Sequence, residues 1–247
     1  ITIGPSIRLW QNRINLTGNV GLQRNNLLGT RSETTTRLIG NANLSFFTRK
    51  GFGLSANYTN YNIEQTEAQI ALSDSLRQAL VTTNISVVPT YTWGDTSSMH
   101  SIVLSANYQR LNDQNPFTRD FTNMTTQFAT ASYSLQLIYT GTSITGGANY
   151  QLIALPALET TRYGGTLSLG QTFDEGTWQL QVGATYNWSL IAETPDGRVL
   201  SGNASIGYRP HPKHRFSLYS TYLRNTSLQF VDFTEWYGGL SYQWVIR

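Results

Sequence analysis

The sequence predicts an all-β fold, a transmembrane antiparallel up-and-down β-barrel of about 14 strands. Three observations predict it. One tetrapeptide recurs in four near-copies: Ser55-Ala56-Asn57-Tyr58, Ser105-Ala106-Asn107-Tyr108, Gly147-Ala148-Asn149-Tyr150 and Gly183-Ala184-Thr185-Tyr186. Each copy sits inside a longer run of strict polar–apolar alternation, the period of a strand with two unlike faces. Charged residues make up only 13 % and hydrophobic residues only 39 % of the chain, too little of either for an apolar core wrapped in charge. The runs are joined by connections that are by turns short and long, the asymmetry of an outer-membrane barrel.

Composition narrows the choices further. The 14 Tyr, 10 Phe and 6 Trp residues, with sustained alternation, argue against a disordered polar chain. A barrel in lipid needs apolar residues at every second position only, with neutral polar residues facing the lumen. No stretch reaches the roughly 18 apolar residues of a membrane-spanning helix. Cysteine is absent, which excludes disulfides and thiolate metal sites. Ile1 to Trp10 contain no basic and apolar leader, so no signal peptide is expected there. The pI near 9.2 and net charge of +3 come without a basic cluster, so nucleic acid is not an expected partner.

Thirteen segments alternate. Residues 1–10 place Pro5, Ile7 and Leu9 on one face, and residues 13–26 place Ile14, Leu16, Val20 and Leu22 there. Residues 34–48 set Leu38, Ala42, Leu44 and Phe46 against Asn41, Asn43 and Ser45; residues 52–64 give Phe52, Leu54, Ala56 and Tyr58. Residues 81–93 give Ile85, Val87, Pro89, Tyr91 and Trp93, where Pro89 lacks a ladder donor and calls for a bulge. Residues 100–112, 125–140, 143–155 and 163–173 repeat the design with Leu104, Tyr133, Ala148 and Leu167 on their apolar faces. Residues 178–190 alternate most cleanly, with Trp178, Leu180, Val182, Ala184, Tyr186, Trp188 and Leu190 on one face. Residues 199–209, 215–225 and 236–247 close the series with Ile206, Leu218 and Leu240.

Short turns are expected at Gln11-Asn12, Arg49–Gly51, Gly94–Met99, Gly141–Ser143, Asp174–Thr177 and Pro210–His214. Longer loops are expected at Leu27–Glu33, Gln65–Leu80, Asp113–Asn123, Pro156–Arg162, Ala192–Arg198 and Leu228–Glu235. Leu72, Leu76 and Leu80 stand at helical spacing in the longest of these and predict a short amphipathic helix. The short-turn end gathers eight basic residues against Asp95, Asp174 and Glu175, net +5; the other end has nine Arg against eleven acids. Almost no charge falls mid-strand, on either face. Aromatics gather at both strand ends, as membrane interfaces favour. Phe52 to Tyr58 spans on the order of 15–18 Å along a tilted strand.

Single-chain barrels of this kind normally have even counts, so an odd number of segments has two repairs: one segment that is really two or two that are one, or, more simply, one more strand upstream. On that reading residues 1–247 are a single barrel domain forming the C-terminal part of a longer chain.

No chemistry-bearing constellation stands out. Repeated Asn-x-Ser/Thr triplets, such as Asn57-Tyr58-Thr59 and Asn187-Trp188-Ser189, are lumen-facing neighbours around one lipid-facing residue rather than glycosylation acceptors. His211 and His214 share a short turn with no carboxylate at ligand spacing, and His100 lies at the same end. That end is opposite the one where barrel hydrolases carry their nucleophile and histidine, so no enzyme, cofactor or metal site is expected.

The alternating hairpins, the aromatic-rich Trp236–Arg247 and the Gly-Asn-Ala-Asn-Leu and Ser-Ala-Asn-Tyr phrases resemble outer-membrane β-barrels of the Bacteroidota type. The resemblance covers the whole chain as a pattern. It implies a bacterial outer-membrane location, with outer-membrane lipid, other envelope proteins or an upstream domain as partners. A lumen without mid-strand charge lacks the constriction of an ion-selective porin. The expected role is therefore a membrane anchor or component of a larger cell-envelope assembly, with a passive diffusion porin for small polar solutes as the alternative.

Overall fold

The computed structural model describes residues 1–24, 33–67, 79–227 and 232–244. Its strands are β1 (Thr2–Ile3), β2 (Ser6–Leu9), β3 (Ile14–Arg24), β4 (Glu33–Phe47), β5 (Phe52–Glu67), β6 (Ala79–Gly94) and β7 (Ser98–Asp113). A one-turn helix, α1 (Arg119–Thr122), follows; then come β8 (Met124–Leu137), β9 (Thr142–Leu155), β10 (Leu158–Phe173), β11 (Trp178–Ile191), β12 (Thr194–His211), β13 (His214–Ser227) and β14 (Phe233–Trp244). Each strand from β3 onward pairs with the next in sequence, giving one 14-stranded sheet in up-and-down order, the order that up-and-down barrels use.

The fourteen strands occupy thirteen positions, matching the thirteen alternating segments. β1 and β2 both pair with β3, through Ile3↔Val20 and Leu9↔Ile14. The break between them falls at Gly4-Pro5, where the ring of Pro5 removes a donor; its carbonyl still accepts the Gly18 N–H at 3.0 Å. β6 runs without interruption through Pro89.

Two compact units can be distinguished. One comprises Ile1–Thr90, Ser105–Ala129 and Gln151–Thr160. Within it the β3–β4–β5 ladder is regular from Ile14↔Phe46 to Phe47↔Gly53. The other comprises Tyr91–Leu104, Thr130–Tyr150 and Thr161–Arg247. Its β11–β14 ladder runs from Trp178↔Tyr208 through Phe216↔Tyr242.

The tight turns at the predicted short end are observed. Trp10, Gln11 and Asn12 take positive φ between β2 and β3, and Asp174 and Glu175 do so between β10 and β11. Two predicted long loops are corrected. Between β9 and β10 only Pro156 and Ala157 lie outside the strands, and between β11 and β12 only Ala192 and Glu193 do, with φ of 48° and 63°. Positive φ at both central residues is the hairpin turn that matches strand twist. The ladder therefore continues beyond the apolar band, through residues such as Thr160, Arg162, Asp196 and Arg198 that are polar on both faces. Hydrophobic alternation reports a one-sided environment, so it ends where both faces meet water, although the backbone pairing does not. The predicted helix on Leu72 and Leu76 lies outside the described residues; Leu80 belongs to β6.

The apolar face is turned outward. Among the described residues no hydrophobic side chain is buried, while Leu16, Val20, Leu22, Leu38, Ile85, Leu104, Leu167, Leu180, Val182, Ile206 and Leu218 are all exposed. No helix among the described residues is long and apolar enough to cross a membrane.

Candidate functional site

Asparagine dominates the middle of the polar face. Asn41, Asn43 and Asn57 reach that face because each lies one residue from an outward apolar neighbour, and antiparallel register sets Asn19 opposite Asn41 and Asn43 opposite Asn57. The Asn19 amide donates to Asn41 Oδ1 at 3.2 Å, and the Asn57 amide donates to Asn43. Thr59 Oγ1 donates to Asn57 Oδ1 at 3.1 Å. That bond joins the first and third residues of an Asn-x-Thr triplet, as expected of neighbours on one face of a strand. Asn107 Nδ2 donates to Asn84 Oδ1 at 2.8 Å on the next pair of strands.

In the second unit the amide contacts reach further. Asn149 Nδ2 on β9 donates to Asn187 Oδ1 on β11 at 3.1 Å, spanning the intervening β10. Gly164 makes this possible: a Cβ there would stand 2.1 Å from Asn187 Oδ1 and 2.2 Å from the Tyr186 carbonyl oxygen. Gly164, inside β10, thus has a steric reason that periodicity does not reveal.

At the short-turn end, rings stack on the outward face. Trp93 lies against His100 with centroids 5.1 Å apart, and His100 Nδ1 shares a 2.8 Å hydrogen bond with the Tyr133 hydroxyl. A second group repeats the pattern: His214 Nδ1 shares a 2.7 Å bond with the Tyr242 hydroxyl and stacks on Trp244. Trp178, Tyr208, Phe216 and Tyr242 continue the row, with Trp178 and Tyr208 at 4.2 Å and Phe216 and Tyr242 at 4.9 Å. Toward the other strand ends Tyr163 stacks on Trp188, which Tyr186 meets edge to face. Two aromatic belts on an outward apolar face are therefore present.

Two of the three histidines are thus built into the belt. His211 accepts the Lys213 N–H at 3.3 Å, and its ring centre is 5.9 Å from that of His214. Among the described residues no group of three or more His, Cys, Asp or Glu could hold a metal.

The predicted Asp113–Asn123 loop folds around one carboxylate. Asp113 and Asn115 are both buried. Asp113 accepts the Asn115 N–H at 2.9 Å and the hydroxyls of Thr118 and Thr122, and its own N–H donates to Asn123 Oδ1. Asp-x-Asn followed by spaced Thr is the side-chain-to-backbone signal that marks such a turn. The cluster holds α1 in place and leaves Phe117 and Phe121 exposed.

No family model matches the chain, and no curated protein matches it. A solved structure similar to it is an outer membrane channel from Pseudomonas putida F1, at 12 % identity, covering 99 % of this chain and 95 % of that one, with a TM-score of 0.41. A likeness at that level adds nothing to the geometry above.

Proposed function

We propose that the chain is an outer-membrane β-barrel that anchors a larger cell-envelope assembly in the lipid. The observation that carries this reading is the inverted distribution of apolar side chains: the strands turn them outward, and no hydrophobic side chain among the described residues is buried. In water such a surface would be a liability far beyond the few hundred Å² that soluble monomers tolerate. In a bilayer it is the solvent-facing surface, bracketed by the aromatic belts at the two interfaces. The middle of the polar face favours an anchor, because asparagine amides bonded to one another present no charged constriction. Outer-membrane lipid and other envelope proteins are the partners of this reading, and it assigns no catalytic role. The likeness to Bacteroidota-type barrels rests with the sequence phrases that carry it.

A diffusion pore for small polar solutes is the second reading, favoured by the hydrophilic character of that same face. Planar-bilayer recording of the purified chain separates the two. A stably closed protein supports the anchor; steady conductance after reconstitution would replace it with the pore. Remaining in solution as a monomer without detergent would end both.

A further inference from the structure

We propose that a cleft on the polar face of β11–β14, at the short-turn end, binds a small phosphate-class oxyanion. The cleft has a volume of about 240 Å³, roughly eight water volumes at about 30 Å³ each. Its walls carry Arg209, Lys213 and Arg215, with Thr177, Gln179 and Gln243 as neutral hydrogen-bonding groups.

Ladder register explains why these groups converge. Gln179 stands opposite Gly207, and Arg215 stands opposite Gln243. All lie on the face opposite Trp178, Tyr208, Phe216 and Tyr242, whose rings stack behind the cleft. Arg209 follows Gly207 by two residues, at a register shift between Tyr208 and His211, and its N–H is fixed to the Thr177 carbonyl at 2.7 Å. The Pro212-Lys213 turn then brings Lys213 over the same side. Gly207 leaves the floor without a side chain.

The charge arrangement calls for an anion. No acidic residue lines the cleft, and the one ion pair among the described residues, Arg119–Asp120, lies elsewhere in the chain. Both guanidiniums are held by neutral acceptors instead. Arg209 Nη2 donates to the Pro212 carbonyl at 3.5 Å and Arg215 Nη2 to Gln179 Oε1 at 3.3 Å. Each contact uses one of the five N–H groups of its forked guanidinium and leaves the others for a ligand. Two such forks and an ammonium around one concavity suit an anion with several oxygens and more than one negative charge. A phosphate dianion fits that description better than a monocarboxylate. The aromatic row occupies the opposite face, so the ligand enters from water, free or as a phosphate monoester on a solute. The proposal goes beyond the membrane reading and stands without it, because every lining residue belongs to β11–β14 or their turns.

The full chain refolded in detergent micelles provides the test, with inorganic phosphate and glycerol phosphate titrated separately by calorimetry. Saturable one-site binding of inorganic phosphate is expected, weakening as salt rises, with acetate at least tenfold weaker. Preference for glycerol phosphate would identify the monoester as the better source. The Arg209→Gln/Arg215→Gln pair should lower phosphate affinity at least tenfold, and the Arg37→Gln control should leave it unchanged. Gly207→Val supplies a variant that keeps all three cations. The three atoms nearest to a Cβ at Gly207 all belong to Gln179 and stand 3.6 to 3.8 Å away, ordinary contact distances, so the chain should fold with its cleft filled and its binding lost. Circular dichroism verifies the fold of each variant. Absence of saturable binding, equal binding of acetate and phosphate, or undiminished affinity in folded double and Gly207→Val variants would overturn the proposal.

Discussion

Asp95 closes the β6–β7 turn through one carboxylate oxygen. Its Oδ1 accepts the Ser97 N–H at 2.7 Å, the Ser97 hydroxyl at 2.6 Å and the Ser98 N–H at 2.9 Å. These donors, the Ser97 hydroxyl foremost, lower its pKa to about 2. A carboxylate held lower in the folded chain than in the unfolded one contributes stability above its unfolded pKa. That contribution disappears as pH falls through the folded value. Asp95→Asn should therefore lower the thermal midpoint at pH 7, and the difference from the parent should close as pH falls from about 4 to 2; melting curves in detergent across that range check it. Gly164 is the second sensitive position. Gly164→Val forces a side chain against Asn187 and the Tyr186 carbonyl, an overpacking expected to cost about 1–3 kcal/mol. Denaturant unfolding in micelles should show it, and Gly40→Ala, where a Cβ would meet nothing within 4 Å, should lie near the parent. Asp95 was legible in sequence only as part of a short turn. Gly164 carries no signal in the alternation, because its role depends on a side chain and a carbonyl of the neighbouring strand.

Strands are where the sequence speaks most clearly. Every alternating segment became a position in the sheet, because one-sided apolar exposure imposes period two on residues regardless of their identity. What alternation cannot show is how far a ladder runs once both faces are polar. β12 extends over Thr194–His211, although its clean alternation spans only 199–209. The signal at its start is a two-residue turn at positive φ, and Ala192-Glu193 lacks the Asn or Gly that usually advertises one. The faces themselves make a sharp prediction. Val182 is exposed on the apolar face and Gln181 is its neighbour on the polar face. Val182→Arg should destabilise the membrane-inserted form by about 2–4 kcal/mol, whereas Gln181→Arg should be tolerated. Reversible folding into lipid vesicles measures both; equal penalties would mean that the two faces do not see different solvents.

At the scale of the whole molecule, all-β class and up-and-down order follow from composition and alternation. The cationic cleft does not, since it assembles from four strands and two turns whose individual charges look like ordinary solvated ends. Charge is sorted along the strands, with the net positive end at the short turns. In a membrane of one orientation that end is expected to face the periplasm, because short turns lie there in outer-membrane barrels. Cysteines placed singly at Lys50 and at Asp120 check it. Membrane-impermeant labelling of intact cells should reach position 120 and leave position 50 unmodified.

The hairpin closed by Ala192 and Glu193 has a further consequence. Proteases grip substrates as several residues of extended, unpaired chain, and this tip offers two. The residues beside it are already paired across the hairpin, Ile191 with Thr194 and Leu190 with Pro195. A projecting β11–β12 hairpin is therefore an armoured finger, a part of the molecule that can meet the surroundings of a cell without being trimmed by them.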